Sequence, residues 1–151
     1  MQYEEKLNLK IVDTVFDPQI YGTDYIPGNL NDKKPEPEVR FTSSGDSSLY
    51  KVWIFLAGDD LPRVETVTYK LHETFVDPIR VVPRILTNLD CRITIWTWGI
   101  FDITATILDK GGRSYGLVYR LSYGDILDKY SSSIKYLKEN PEISDGAVLI
   151  A

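Results

Sequence analysis

"FDITATILDKGGRSYGLVYR", residues 101–120, is the stretch that decides the fold. Apolar residues return at every second position, at Phe101, Ile103, Ala105 and Ile107, with Asp102, Thr104 and Thr106 between them. Successive side chains of a strand point to opposite faces, so this period of two predicts a strand with one buried side. "DKGGR", residues 109–113, follows. Tight hairpin turns need positive φ, and Gly111 and Gly112 are expected to supply it. "SYGLVYRLSY", residues 114–123, then reads as the returning strand of an antiparallel hairpin.

The same alternation extends outward. "LYKVWIFLAG", residues 49–58, is β-branched and aromatic on both faces, which predicts a central strand covered on two sides, or covered on one and lined with aromatics on the other. "VETVTYKL", residues 64–71, sets Val67, Tyr69 and Leu71 against Thr66, Thr68 and Lys70, a half-buried strand ending at His72. "DPIRVVPRIL", residues 77–86, carries two prolines and is at most an edge strand, because proline donates no ladder hydrogen bond. "CRITIWTWG", residues 91–99, reads as a strand, and so do the opening alternation of Leu7, Leu9 and Ile11 and the short "VRFTS", residues 39–43. Residues 17–38 are rich in Gly, Pro, Asn and Asp without a helical period and read as a long loop, with or without a short extended piece. After Gly124, Ile126, Tyr130, Ile134 and Leu137 fall at helical spacing, predicting a helix from Asp125 to Asn140, stopped before Pro141. "GAVLIA", residues 146–151, is an apolar tail. About seven short strands between turn signals predict an all-β fold, an antiparallel β-sandwich over residues 1–124. Residues 125–151 would pack on it as a C-terminal helix and tail.

With 151 residues, 43% of them hydrophobic and 12% aromatic, the chain can bury a core without staples. Its net charge of -5 argues against direct nucleic-acid binding and against an anionic membrane surface, both of which need clustered cations. It suits a cationic, lysine-rich partner. The single cysteine, Cys91, excludes an internal disulfide framework and favours a reducing compartment, hence a cytoplasmic location. No apolar run approaches the ~20 residues of a membrane helix. The polar start, "MQYEEKLNLKIV", is not a signal peptide.

The only histidine lies in "LHETF", residues 71–75. A zinc site needs three or four N or S ligands, which one His and one Cys cannot provide. Nucleophilic catalysis needs a nucleophile, a base and an orienting acid, and His72 is the one ordinary base. Thr74, on the same face, is a rare nucleophile, and Cys91 within an apolar strand reads as an inert thiol. No phosphate loop or dinucleotide fingerprint appears, so no cofactor is expected. A third reading is a pocket. His72, Thr74 and Phe75 lie at one strand end, and Trp96, Trp98 and Phe101 lie at another around Gly99, where a sandwich presents its loops. The structural alternative is packing, because paired tryptophans are often rim or core and a lone histidine is often a hydrogen-bonded scaffold residue.

Two motifs carry a resemblance. Residues 50–58, "YKVWIFLAG", follow the pattern Y-x-V-x-I-x-L-x-G, and residues 67–80 run V-x-Y-x-L-H-x-T-F-x-x-P-x-R. "WGIFDI", residues 98–103, completes the set. The chain resembles the YEATS domain family, and the absence of any recognisable histone-binding charge pattern suggests a prokaryotic YEATS-like domain. The glycine that usually precedes the turn aromatic is Thr97 here, and several extra residues separate "RVV" from "WGIF". The family's aromatic upstream of the Tyr50 strand has no counterpart unless Phe41 or the long first loop supplies it.

The resemblance implies an immunoglobulin-like sandwich and a non-enzymatic module that binds acylated lysine, acetyl or crotonyl, in an aromatic cage. Its ligand-binding residues would be His72, Thr74, Phe75, Trp98, Gly99 and Phe101, with Trp96 and Thr97 as accessories and no metal. Partners would be acylated-lysine proteins or peptides, or other proteins, in the cytoplasm, or in the nucleus if the source is eukaryotic. The implied mechanism has the Thr74 hydroxyl accept from the amide N–H and a backbone N–H near Trp98 donate to its carbonyl. Phe75 and Trp98 stack on the amide faces, His72 orients Thr74, and Phe101 closes the base. A scaffold that keeps the fold without the ligand, and an unrecognised hydrolase acting through His72, are the competing readings.

Overall fold

In a computed structural model, residues 7–27, 36–44, 47–75 and 77–141 are described. The elements run β1 (Lys10–Thr14), α1 (Pro18–Tyr21), β2 (Glu38–Ser44), β3 (Ser47–Ala57), β4 (Val64–Lys70), β5 (Ile79–Pro83), β6 (Ile93–Thr97), β7 (Asp102–Asp109), β8 (Ser114–Arg120), α2 (Tyr123–Tyr130) and β9 (Lys135–Lys138). They form two sheets, one of five strands around β3 and one ordered β5-β4-β7-β8.

β3 is the spine of the first sheet. β1 pairs with its second half, from Trp53 to Ala57, and β2 with its first residues, from Ser47 to Tyr50. β6 pairs with Tyr50 to Ile54 and therefore takes the opposite edge. The inner face of β3, with Val52, Ile54 and Leu56, meets Val67 and Tyr69 of β4 and Ile103, Ala105 and Ile107 of β7 in one buried core. Its outer face explains the second apolar stripe. Trp53 and Trp96 lie beneath the Lys51 ammonium at 5.4 and 5.8 Å, and Phe55 lies beneath the Arg92 guanidinium at 5.8 Å. Cations over ring faces let those aromatics be covered without a further layer.

The 101–120 hairpin forms as its alternation predicts, with β7 registered on β8 from Asp102↔Arg120 to Leu108↔Ser114. Only Gly112, at φ +84°, takes the left-handed conformation; Gly111 does not. The turn is held instead by Asp109, whose carboxylate accepts from the Arg113 and Gly111 N–H groups, each at 2.9 Å, and from the Tyr115 hydroxyl at 3.3 Å. The Arg113 and Gly111 amides, the Tyr115 hydroxyl and the Arg63 cation hold this carboxyl below its ordinary range, against some opposing burial. Asp109 therefore contributes stability above the unfolded carboxyl value near 3.9, and that contribution is lost as pH falls through the folded one. Asp109→Ala is expected to flatten the acid limb of the stability–pH profile and speed amide exchange at residues 110–113, which denaturation at several pH values and hydrogen exchange would show.

Three expectations need correction. The helix does not run from Asp125 to Asn140. It ends at Tyr130, a 3-10 turn spans Ser131–Ser133, and β9 pairs in parallel with β2. Serine side chains compete for backbone hydrogen bonds and weaken a helix, and the open edge of β2 offers the ladder bonds instead. The Lys135 N–H reaches the Pro37 carbonyl at 2.8 Å and the Glu139 N–H reaches that of Phe41 at 2.9 Å. Ile134 is buried, but Leu137 is registered with Arg40 on the outer face of the first sheet beside Lys51 and Trp53, so the three-residue spacing that suggested a helix marks no single buried side in the strand. Second, Cys91 precedes its strand, which starts at Ile93, and sits buried at φ +53° with its carbonyl accepting from the Tyr69 hydroxyl at 2.8 Å. Burial pushes its thiol up to about 11, which keeps it protonated and unreactive. Third, the long loop contains α1, where Pro18 starts the helix and the Asp17 carboxylate accepts from the Gln19 N–H at 2.9 Å. The 146–151 tail lies outside the described residues.

Candidate functional site

β4 stops after Lys70, and the chain folds back to β5 in a loop closed by the Leu71 N–H on the Pro78 carbonyl at 2.7 Å. Inside it, the Phe75 N–H donates to the His72 carbonyl at 3.1 Å, a β-turn. Leu71 and Phe75 are buried and anchor the loop in the core, which leaves His72 exposed and Thr74 half-buried. The His72 Nδ1 lies 2.8 Å from the Thr74 Oγ1. The Thr74 backbone N–H also points at this nitrogen, at 3.3 Å. A nitrogen that faces a donor hydrogen must present its lone pair. Neutral His72 therefore carries its proton on Nε2, and the Thr74 hydroxyl donates to Nδ1. The lone pairs of the Thr74 oxygen are then turned to other donors.

The second segment joins the two sheets. β6 ends at Thr97, β7 begins at Asp102, and residues 98–101 cross between them. Lys70, the last residue of β4, is registered with Thr104 near the start of β7, so the loop after β4 and this crossing lie at the same end of the sandwich. Phe101 is where they meet. Its ring is 5.4 Å from that of Phe75 and 6.0 Å from His72, the latter edge-on. Phe75 is 2% exposed and Phe101 7%, whereas Trp98 is 51% exposed. The two phenylalanines thus form a floor continuous with the core, and His72, Thr74 and Trp98 stand at the surface. Trp96 is fully buried under Lys51, on the outer face of the first sheet.

Thr97, which stands where the family usually has glycine, is fully buried and shapes the crossing. Its hydroxyl accepts from the Gly99 N–H at 3.2 Å. The Gly99 carbonyl accepts from the Tyr123 hydroxyl at 2.7 Å. Both polar backbone groups of Gly99 are therefore engaged inside the protein, and burial pushes the Tyr123 phenol up. Tyr123 opens α2, which is itself tied to β1. The Asp13 carboxylate accepts from the Ser122 N–H at 3.0 Å, the Ser122 hydroxyl at 2.8 Å, the Tyr123 N–H at 2.8 Å and the Tyr119 hydroxyl. Neither Asp13 nor Tyr123 was legible as part of the site. A signal for Asp13 was present, because it shares the inward face of Leu9 and Ile11, where a lone acid needs several donors.

Among the described residues there is no cluster of three His, Cys, Asp or Glu side chains able to hold a metal, and no helix long and apolar enough to cross a membrane.

No curated protein matches the chain. Solved structures similar to it include three of a yeast protein. The crystal structure of the yeast AF-9 homolog protein Yaf9 is 22% identical, with a TM-score of 0.41, over 49% of this chain and 51% of that one. The Yaf9 YEATS domain recognizing H3K122suc peptide is 19% identical, with a TM-score of 0.43, over 56% of this chain and 67% of that one. The structure of the YEATS domain of Yaf9 is also 19% identical, with a TM-score of 0.43, over 54% and 63%. The chain thus spans between half and two thirds of the lengths of these relatives. Residues 50–122, from the Tyr50 strand through both loops to the end of the hairpin, match the family model of the prokaryotic YEATS domain. Over that segment, a little under half of its length, the chain is similar to the YEATS domain family.

Proposed function

We propose that the end of the sandwich around His72, Thr74, Phe75, Trp98, Gly99 and Phe101 is a recognition site for acylated lysine or a related flat amide, without catalysis. The observation that carries this reading is the His72–Thr74 pair. With Nδ1 accepting, the hydroxyl is fixed as a donor to the ring and an acceptor outward, which is what an amide N–H requires. An amide buried without partners would cost roughly 2–7 kcal/mol, so a reader must return its hydrogen bonds. Trp98 supplies an exposed aromatic face for the amide plane and the acyl tail, and the Phe75–Phe101 floor supplies a rigid apolar base. Free lysine is disfavoured because its hydrated ammonium would lose water against a hydroxyl and aromatic rings with no carboxylate provided. The Thr74 acceptor and a small apolar surface give binding on the order of micromolar or weaker.

Calorimetric titration with an acetyl-lysine or crotonyl-lysine peptide, beside the unmodified peptide, tests this. Thr74→Ala is expected to weaken binding about tenfold or more, since a buried amide N–H is then left without an acceptor, while Thr74→Ser retains most of it. Trp98→Ala is expected to lose a comparable amount. Both variants should unfold at the wild-type midpoint, because neither side chain belongs to the core.

A second reading has its own observation. Phe75 and Phe101 are both buried within the core, so little of the floor is open. A protein-interaction scaffold without a ligand would look the same, and an absence of heat at about millimolar acyl peptide with folded protein selects it.

A further inference from the structure

β5 is the outer strand of the second sheet and pairs with β4 alone. Its register shows which backbone groups face outward. The Leu71 N–H donates to the Pro78 carbonyl and the Arg84 N–H to the Glu65 carbonyl, bracketing the pairs from Thr66↔Pro83 to Lys70↔Ile79. In an antiparallel ladder, bonded and non-bonded pairs alternate. The bonded pairs are therefore Val67–Val82 and Tyr69–Arg80. Ile79 and Val81 turn their N–H and C=O groups, and Pro83 its C=O, away from β4, and among the described residues nothing bonds them.

This edge also lacks the charges that usually protect one. Ile79 is 59% exposed and Val81 64%. The one cation of the strand, Arg80, lies on the other face and is tied back through its Nε to the Asp77 carbonyl at 2.6 Å. By contrast, the edge strand β9 carries Lys135 and Lys138.

We propose that the β5 edge pairs with the β5 edge of a second copy of this chain, antiparallel about a two-fold axis at Val81, so that two four-stranded sheets become one. The edge is self-complementary in three respects. Val81 opposite its own counterpart exchanges both hydrogen bonds. The Ile79 N–H meets the Pro83 carbonyl of the second copy, and the proline, which has no N–H, falls at the end of the ladder. On the outer face Val81 lies beside Val81 and Ile79 beside Pro83, all apolar. On the inner face Arg80 is opposite Val82 and Arg84 opposite Pro78, so no like charges are opposed. A second copy brings a strand already held extended by its own β4, whereas a free peptide must lose that chain entropy on docking. The contact is short and lies below the usual interface size, so the dimer is expected to form at roughly 10–100 μM.

Sedimentation equilibrium of the full chain from about 5 to 500 μM reads the dimer directly. Val81→Pro is the incisive variant, because the N–H it removes points outward and the ladder to β4 keeps every bond. It is expected to weaken the dimer about tenfold or more, with an unchanged circular-dichroism spectrum and unfolding midpoint. Ile79→Lys, which leaves the backbone alone and places a charge in the apolar row, is expected to weaken it comparably. Should Val81→Pro fail to fold, Ile79→Lys decides. A chain that stays monomeric throughout the range overturns the proposal. So does a dimer indifferent to both variants, or a monomer in which Val81→Pro instead weakens capture of an acyl-lysine peptide, which would assign the edge to that peptide. The oligomeric state is read without any ligand, so this outcome and that of the amide-recognition site are separable.

Discussion

Asp13→Ala is expected to cost about 3–5 kcal/mol of unfolding free energy, from several buried neutral donors left unpaired at about 1–3 kcal/mol each, read as a lower urea midpoint at unchanged slope. The size follows from what the carboxylate does. The first N–H groups of a helix have no partner within it, and the residue in front of α2, Ser122, makes no capping bond of its own. Asp13 reaches across from β1 and takes the Ser122 and Tyr123 N–H groups, adding a negative charge where the helix dipole favours one. Alanine would strand those donors together with the hydroxyls of Ser122 and Tyr119. Asp13→Asn, which keeps one carbonyl, should recover part of the loss. A spectroscopic mark accompanies it. Burial first, and the Asp13 hydrogen bond second, push the Tyr119 phenol up to about 12. An unfolded tyrosine titrates near 10. The folded protein is thus favoured fully below pH 10, and this advantage fades as pH rises from about 10 toward 12. In Asp13→Ala, phenolate absorbance should show the Tyr119 transition moving down only partway, since burial, the larger cause, remains.

Gly58→Ala is the other large effect. Gly58 follows β3 at φ +138°, which L side chains rarely adopt, and a Cβ there would lie 2.2 Å from the Asn8 carbonyl oxygen and 3.0 Å from the Leu9 Cα. Both neighbours are backbone, so no side chain can swing aside. Asn8 cannot retreat cheaply either. Its carbonyl accepts from the Asp60 N–H at 3.2 Å, and its N–H donates to the Asp60 carboxylate at 2.6 Å. Relief of the clash therefore breaks the entry to β1. A loss of about 3 kcal/mol or more is expected, a fall of roughly 6–12 °C in Tm by calorimetry, without loss of the sandwich itself. A variant as stable as the wild type would mean that the Asn8 segment is held less firmly than its hydrogen bonds indicate.

The strands were readable wherever one face is buried and the other wet. Phe101 to Ile107 and Val67 to Leu71 face inward as their alternation requires, because burial of one sheet face writes that period into the chain. β9 was not readable. Ile126, Tyr130, Ile134 and Leu137 keep helical spacing, and what made a strand of the last part was the free edge of β2, nearly a hundred residues upstream in sequence. For the candidate site, the loop positions of His72 and Thr74 were readable, because the motif places them after a strand that ends there. The burial of Phe75 and Phe101 depends on each ring finding the other between the loop after β4 and the start of β7, neighbours in the sheet but about thirty residues apart in sequence. Asp13 and Tyr123 matter to the site through partners that no local pattern reveals.

The hydroxyl of Tyr123 on the Gly99 carbonyl has a bearing on how relatives of this chain are compared. The matched segment closes at residue 122, one position before the phenol that braces the Trp98 crossing. Two such proteins aligned perfectly over that window could still hold their crossing differently, and so select different guests, because of what each appends downstream. A fragment trimmed to the window would keep its diagnostic letters and lose the brace.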